Sequence, residues 1–140
     1  MAVKARSKSS KLTFLRLAYS APAPHESAGE EQVRRFTLPA TKALPFVKLR
    51  PDDQPMWRPD SFWNVSATGK RTADVQLGRA YARQAIAAMQ ADHNSDLVGW
   101  ILQDIIRDNV ERAHKTGNTR LSPTVRGFLM EVSEALAAAR

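Results

Sequence analysis

From Thr72 onward the apolar residues recur every three or four positions, and that spacing predicts three helices. The first covers about 72–91, with Thr72 as its N-cap and Asp74 in its first turn. Its apolar stripe is Val75, Gly78, Tyr81, Ala82, Ala85, Ile86 and Met89. Because Gly78, Ala82 and Ala85 are small, a second helix is expected to approach closely there. The second helix covers about 96–115, starting after Ser95 and ending before Gly117, which can serve as a left-handed cap. Leu97, Val98, Ile101, Leu102, Ile105, Ile106, Val110 and Ala113 cover more than half of its circumference, so it is expected to be central and contacted on several sides. The third covers about 123–138, opened by Ser122 with Pro123 at the first helical position. Its stripe is Val125, Phe128, Leu129, Val132 and Leu136.

Before Thr72 the pattern is different. Residues 1–11 carry Lys4, Arg6, Lys8 and Lys11 among Ser and Ala, with no acid, and read as a disordered basic tail. The stretch "KLTFLRLAYS" alternates weakly like a strand, and "APAPHESAGEE" reads as a loop. "QVRRFTLPA" and "ALPFVKLRP" are strand-like, but Pro39, Pro45 and Pro51 confine them to edges or extended straps. Pro55 and Pro59 continue the irregular run. The expected fold is mainly α: a three-helix core with an extended, partly strand-like N-terminal segment. Its expected organisation is a tail over 1–11, a Pro-rich arm or strap over 12–61 and a helical domain over 62–140.

Two sets of aromatic residues test that organisation. Trp57, Phe62 and Trp63 lie in "MWRPDSFWNVSATGKR" among Arg58, Lys70 and Arg71, which invites a base-stacking reading. The prolines and the nearby Asp52, Asp53 and Asp60 oppose it, so these rings are expected to bury on the helices. Trp100 falls on the polar side of the second helix, beside Gln103, Asp104, Arg107 and Glu111. Either residues 36–63 cover it, or it anchors a partner with Arg107 adding a cation–π contact. Covering is the expectation.

Composition narrows the function classes. The 140 residues fit one domain, with an ordinary 43% hydrophobic and 25% charged content. There is no cysteine, which excludes disulfides, thiolate metal sites and cysteine nucleophiles and fits a reducing, cytoplasmic setting. No apolar run reaches the roughly 20 residues of a membrane helix, and Arg16 interrupts the short apolar region that resembles a signal peptide. Without secretion the Asn64-Val65-Ser66 sequon carries no meaning. The net charge of +7 is lopsided: residues 1–50 hold ten Lys or Arg against three acids, whereas residues 51–140 hold eleven of each sign. A basic arm beside a neutral domain implies an anionic partner, either nucleic acid or an acidic protein surface.

Candidate chemistry is sparse. "ATGKRT" resembles the end of a Walker loop, but Arg71 replaces the hydroxyl residue and no glycine occurs over residues 30–68. His25, His93 and His114 lack metal-ligand spacing. Asp104, Asp108 and Glu111 share one face with Arg107 and Arg112 at salt-bridging offsets, as a solvated face would. No nucleophile is paired with a base, so no enzyme, cofactor or metal site is expected. "GNTRLSPTVRGFL" admits a helix-turn-helix reading with Thr124 and Arg126 at base edges. Glu131, Glu134 and the long 116–122 connection favour plain three-helix packing instead. Arg79 and Arg83, one turn apart, with Lys70 and Arg71 just before them, form the best candidate phosphate-contacting edge of the folded part.

The stretch "SFWNVSATGKRTADVQLGRAYA" resembles short uncharacterised accessory proteins of proteobacterial genomes, plasmids and symbiotic islands, from about Phe62 onward. That resemblance implies a bacterial accessory protein and assigns no catalytic or binding residue. The expected function is a non-enzymatic regulator contacting DNA or RNA through Lys4, Arg6, Lys8, Lys11, Lys70, Arg71, Arg79 and Arg83. The alternative is an interaction module, an inhibitor or antiactivator, whose basic arm docks on an acidic protein; Trp100 and Arg107 are the candidate residues for a partner or homodimer face. No membrane partner is expected.

Overall fold

The computed structural model describes residues 38–50 and 59–140. The basic tail, the strand-like stretches up to residue 37, Pro51, Pro55, Trp57 and the cations Lys4, Arg6, Lys8 and Lys11 lie outside the described residues. The described part is mainly helical: α1 (Pro39–Lys42), α2 (Arg71–Ala91), α3 (Leu97–Thr116) and α4 (Pro123–Ala138).

The three long helices begin and end within a residue or two of their expected limits, because their capping signals are local. At α4 the Ser122 Oγ accepts from the Val125 amide at 3.2 Å, with Pro123 at the first helical position. After α3, Gly117 takes the left-handed conformation (φ 70°) and its amide closes on the Ala113 carbonyl at 2.8 Å. The start of α2 departs from expectation. Thr72 lies inside the helix, and the N-cap position belongs to Lys70, whose side chain makes no capping bond. Instead Asp74, in the first turn, reaches back. Its Oδ1 accepts from the Thr68 amide at 2.9 Å and from the Thr68 hydroxyl at 2.7 Å, while that hydroxyl accepts from the Lys70 amide at 3.2 Å. These bonds pin the chain where it turns into the helix.

Helices α2 and α4 form the tightest pair. A methyl added to Gly78 would stand 2.8 Å from the Phe128 nitrogen and closer still to the Thr124 carbonyl oxygen. One added to Gly127 would stand 2.8 Å from the Val75 carbonyl carbon and closer still to its oxygen. Each glycine thus seats the backbone of the other helix, which is what the small residues of the α2 stripe implied. Residue 75 faces 127, 78 faces 124 and 128, and 79 and 83 face 131, so the two helices run in the same sense. That arrangement needs α3 as the return segment between them.

Residues of the strap complete the core. Phe46, Phe62 and Trp63 are buried together with Ala82, Ala85, Leu97, Ile101 and Phe128. Ring contacts join Phe46 to Tyr81 (4.8 Å), Trp63 to Phe128 (5.1 Å, edge-on) and Phe62 to Trp100 (5.4 Å). Phe62 and Trp63 therefore bury on the helices as expected, and Trp100 is covered at 8% exposure. Among the described residues the strap forms no strand. Its "ALPFVKLRP" stretch makes a single antiparallel bridge between Lys48 and Ser61, and residues 39–42 form one helical turn. Asp92, just after α2, caps that turn by accepting from the Ala40 amide (3.1 Å), the Thr41 amide (2.7 Å) and the Thr41 hydroxyl (2.8 Å).

The buried face of α3 corrects the sequence expectation. Leu97, Trp100, Ile101, Asp104 and Ile105 point inward, whereas Ile106 and Val110 are 62% and 49% exposed. Asp104, expected on a solvated face, is 2% exposed because its Oδ2 accepts from the Phe62 amide at 2.7 Å. The strap arrives with a backbone donor that must be paired, and Asp104 turns inward to pair it.

A candidate anion-binding groove beside a polar cleft

Because α2 and α4 run in the same sense, their N-termini lie at one end of the pair. Between them is a groove of about 580 Å³, lined by Ala67, Gly69, Arg71, Asp74, Arg120, Leu121, Pro123 and Arg126. Lys70 and Arg71 are exposed on the α2 side, and Arg120 and Arg126 on the other. None of these four cations makes an ion pair among the described residues. Two helix N-termini contribute partial positive charge to the same place. Among the described residues Asp74 is the one carboxylate lining the groove, and its charge is satisfied locally. The Thr68 hydroxyl, the Thr68 amide and the Gly69 amide hold its carboxyl below the ordinary value against the opposing effect of burial.

The other sequence-derived candidates go elsewhere. Arg79 pairs with Glu131 (3.3 Å) and Glu134 (2.8 Å), and Arg83 pairs with Glu131 (3.1 Å). The Glu134 hydrogen bond, with the charges of both glutamates, holds the Arg79 guanidinium even more firmly protonated despite desolvation. The expected cationic edge of Lys70, Arg71, Arg79 and Arg83 is therefore split. Arg71 lines the groove with Lys70 exposed just before it, and Arg79 and Arg83 are neutralised across the α2–α4 seam. Trp100 is covered by Phe62 and is not presented as an anchor, while Arg107 pairs with Asp104 (3.2 Å) and Asp108 (3.6 Å). The helix-turn-helix reading loses Thr124, which is 2% exposed, and keeps only Arg126 at the surface. Arg120 was not singled out by sequence. It stands in a connection without periodicity, and only folding brings it near Arg71.

Next to the groove lies a smaller cleft of about 220 Å³ between α3 and the start of α4. Trp63, Val65, Ala67, Ile105 and Val125 supply apolar walls, and Asp108, Asn109, Arg112, Ser122 and Thr124 supply polar groups. The Arg112 Nη2 donates to Asn109 Oδ1 and to the Arg120 carbonyl, fixing the connection that carries Arg120. The Arg112 Nε and the Thr124 Oγ1 are buried and make no hydrogen bond within the protein. Burial pushes the Asp108 carboxyl up, with Asp104 and Glu111 adding to the effect and Arg107 opposing it.

Among the described residues no His, Cys, Asp or Glu group could hold a metal ion, and no helix is long and apolar enough to cross a membrane. Comparison with known families, curated proteins and solved structures finds no match to this chain.

Proposed function

We propose that this protein is a non-enzymatic bacterial accessory factor, cytoplasmic, that binds nucleic acid through the groove at the shared N-terminal end of α2 and α4. The observation that carries the reading is a contrast among arginines. Arg79, Arg83 and Arg107 are committed to carboxylates, whereas Arg71, Arg120 and Arg126 line one groove, with Lys70 exposed beside it, and none of the four makes an ion pair among the described residues. Like charges held together repel, and phosphates would relieve that repulsion. The basic arm with Lys4, Arg6, Lys8 and Lys11 supplies the remaining positive charge and would extend the contact along a strand.

Binding of a labelled oligonucleotide at a series of salt concentrations tests this. Affinity should fall steeply with salt, and replacing Arg71, Arg120 and Arg126 together by Gln should weaken it at least about tenfold and flatten the salt slope by about 3. Arg79→Gln should leave the slope unchanged. An unaltered slope in the triple variant would remove the groove from the contact.

A second reading, an interaction module docking on an acidic protein, is favoured by the exposure of Ile106 and Val110 on one side of α3. Substituting both by polar residues would abolish that kind of binding and leave oligonucleotide affinity intact.

A further inference from the structure

Resting on the nucleic-acid reading, we propose that the cleft beside the groove takes one unpaired nucleobase, so that the protein prefers single-stranded over duplex nucleic acid. The two spaces are contiguous in sequence as well as in position. Along the connection into α4, Arg120, Leu121, Pro123 and Arg126 line the groove, while Ser122, Thr124 and Val125 line the cleft. Backbone phosphates resting on Arg71, Arg120 and Arg126 therefore bring the attached base to the mouth of the cleft.

Size selects a single ring system. At about 220 Å³ the cleft falls below the roughly 300–1,000 Å³ of sites for larger ligands. Its chemistry selects a neutral, planar group with both donors and acceptors. Trp63, Ile105 and Val125 offer apolar surface to a flat face. The unpartnered Thr124 Oγ1, on a residue only 2% exposed, can donate and accept, and the unpartnered Arg112 Nε can donate. Asp108 and Arg112 both line the cleft and offset each other's charge, whereas Arg71, Arg120 and Arg126 outnumber Asp74 in the groove, which assigns anions to the groove and a neutral base to the cleft. In duplex DNA or RNA the base edges are paired and stacked, so the cleft would stay empty of base.

The test compares, with the unaltered protein at one low salt concentration, a short single strand, an abasic strand of equal length and a duplex. The normal strand should bind at least about tenfold tighter than the abasic one, since insertion of a single base is worth that much. Thr124→Val should weaken the normal strand several-fold and leave the abasic strand unchanged. Equal affinity for normal and abasic strands would overturn the base proposal and leave the groove reading standing. No binding to any of the three would overturn both. A nucleoside monophosphate that displaces the strand at a concentration matching its own affinity for the protein would assign the same cleft to free nucleotides, whereas one that does not compete assigns it to a strand.

Discussion

The two ends of the α2–α4 pair are built from the same helices and treat arginine in opposite ways. Past the glycine seam, Arg79 and Arg83 meet Glu131 and Glu134, and the end is closed by ion pairs. Before the seam, Arg71, Arg120 and Arg126 line one groove, and none of them pairs with a carboxylate among the described residues. A chain folding for stability alone gains nothing by gathering unpaired cations where two helix dipoles already place positive charge. The closed end reads as structure, and the open end reads as a surface awaiting an anion.

The seam between the ends should produce the largest effect when broken. Gly78→Ala or Gly127→Ala forces a methyl into backbone atoms of the facing helix, which cannot swing aside as a side chain would. Each should cost about 3 kcal/mol in denaturant unfolding, the upper part of the usual overpacking range. Gly99→Ala is the control, because a methyl there meets nothing within 4 Å and adds helix propensity. If the Gly127 variant unfolds at the parent's midpoint, the helices do not meet as closely as described.

At the closed end the expected effect is smaller. Glu131→Gln removes the negative charge shared by Arg79 and Arg83 and leaves Glu134 as a carboxylate for Arg79 alone. The Glu131 side chain is only 16% exposed, so the loss should exceed that of a surface ion pair yet stay below that of the glycine variants. Part of it should disappear in high salt, chiefly the contribution of the more exposed Arg83 pair. A loss that is independent of salt would mean that Glu131 contributes by packing instead.

The pinning of α2 predicts a pH signature. Thr68 holds the Asp74 carboxyl below its ordinary value, so the unfolded state binds a proton before the folded state does. The resulting stability is fully present above the ordinary carboxylate range and is lost as pH falls through the depressed folded value. Thr68→Val should therefore be less stable than the parent at neutral pH, with the gap narrowing below about pH 4. A gap that is constant from neutral pH to pH 2 would show that Asp74 does not titrate against Thr68.

What was legible in the sequence follows a physical division. Ser122-Pro123 and Gly117 act on their own backbone within three or four residues, so the limits of α3 and α4 could be read directly. The α2 stripe announced a close approach because Gly78, Ala82 and Ala85 leave no other way to fill that face. Asp104 could not be placed, since the amide it serves belongs to Phe62, 42 residues away. Arg79 could not be told from Arg71 for the same reason, since its glutamates come from α4, 52 and 55 residues on. Local chemistry shows in sequence, and the identity of a distant partner does not. The candidate site suffered most from this limit, because it is defined by which cations lack partners.

The smallest stability effect is expected at the open end, and its smallness is the point. Among the described residues Arg71, Arg120 and Arg126 pair with no carboxylate, so replacing all three by Gln removes no ion pair there and relieves mutual repulsion. Unfolding free energy should stay within about 0.5 kcal/mol of the parent, or rise slightly at low salt, as for substitutions that break no buried contact. Arg120 keeps its structural duty in this variant, because what Arg112 grips is its backbone carbonyl. Measured on the same triple variant, unchanged stability with a flattened salt slope in oligonucleotide binding would separate function from folding at this end of the pair. A marked loss of stability would show that the three arginines have partners within the protein, and the contrast with Arg79 and Arg83 would disappear.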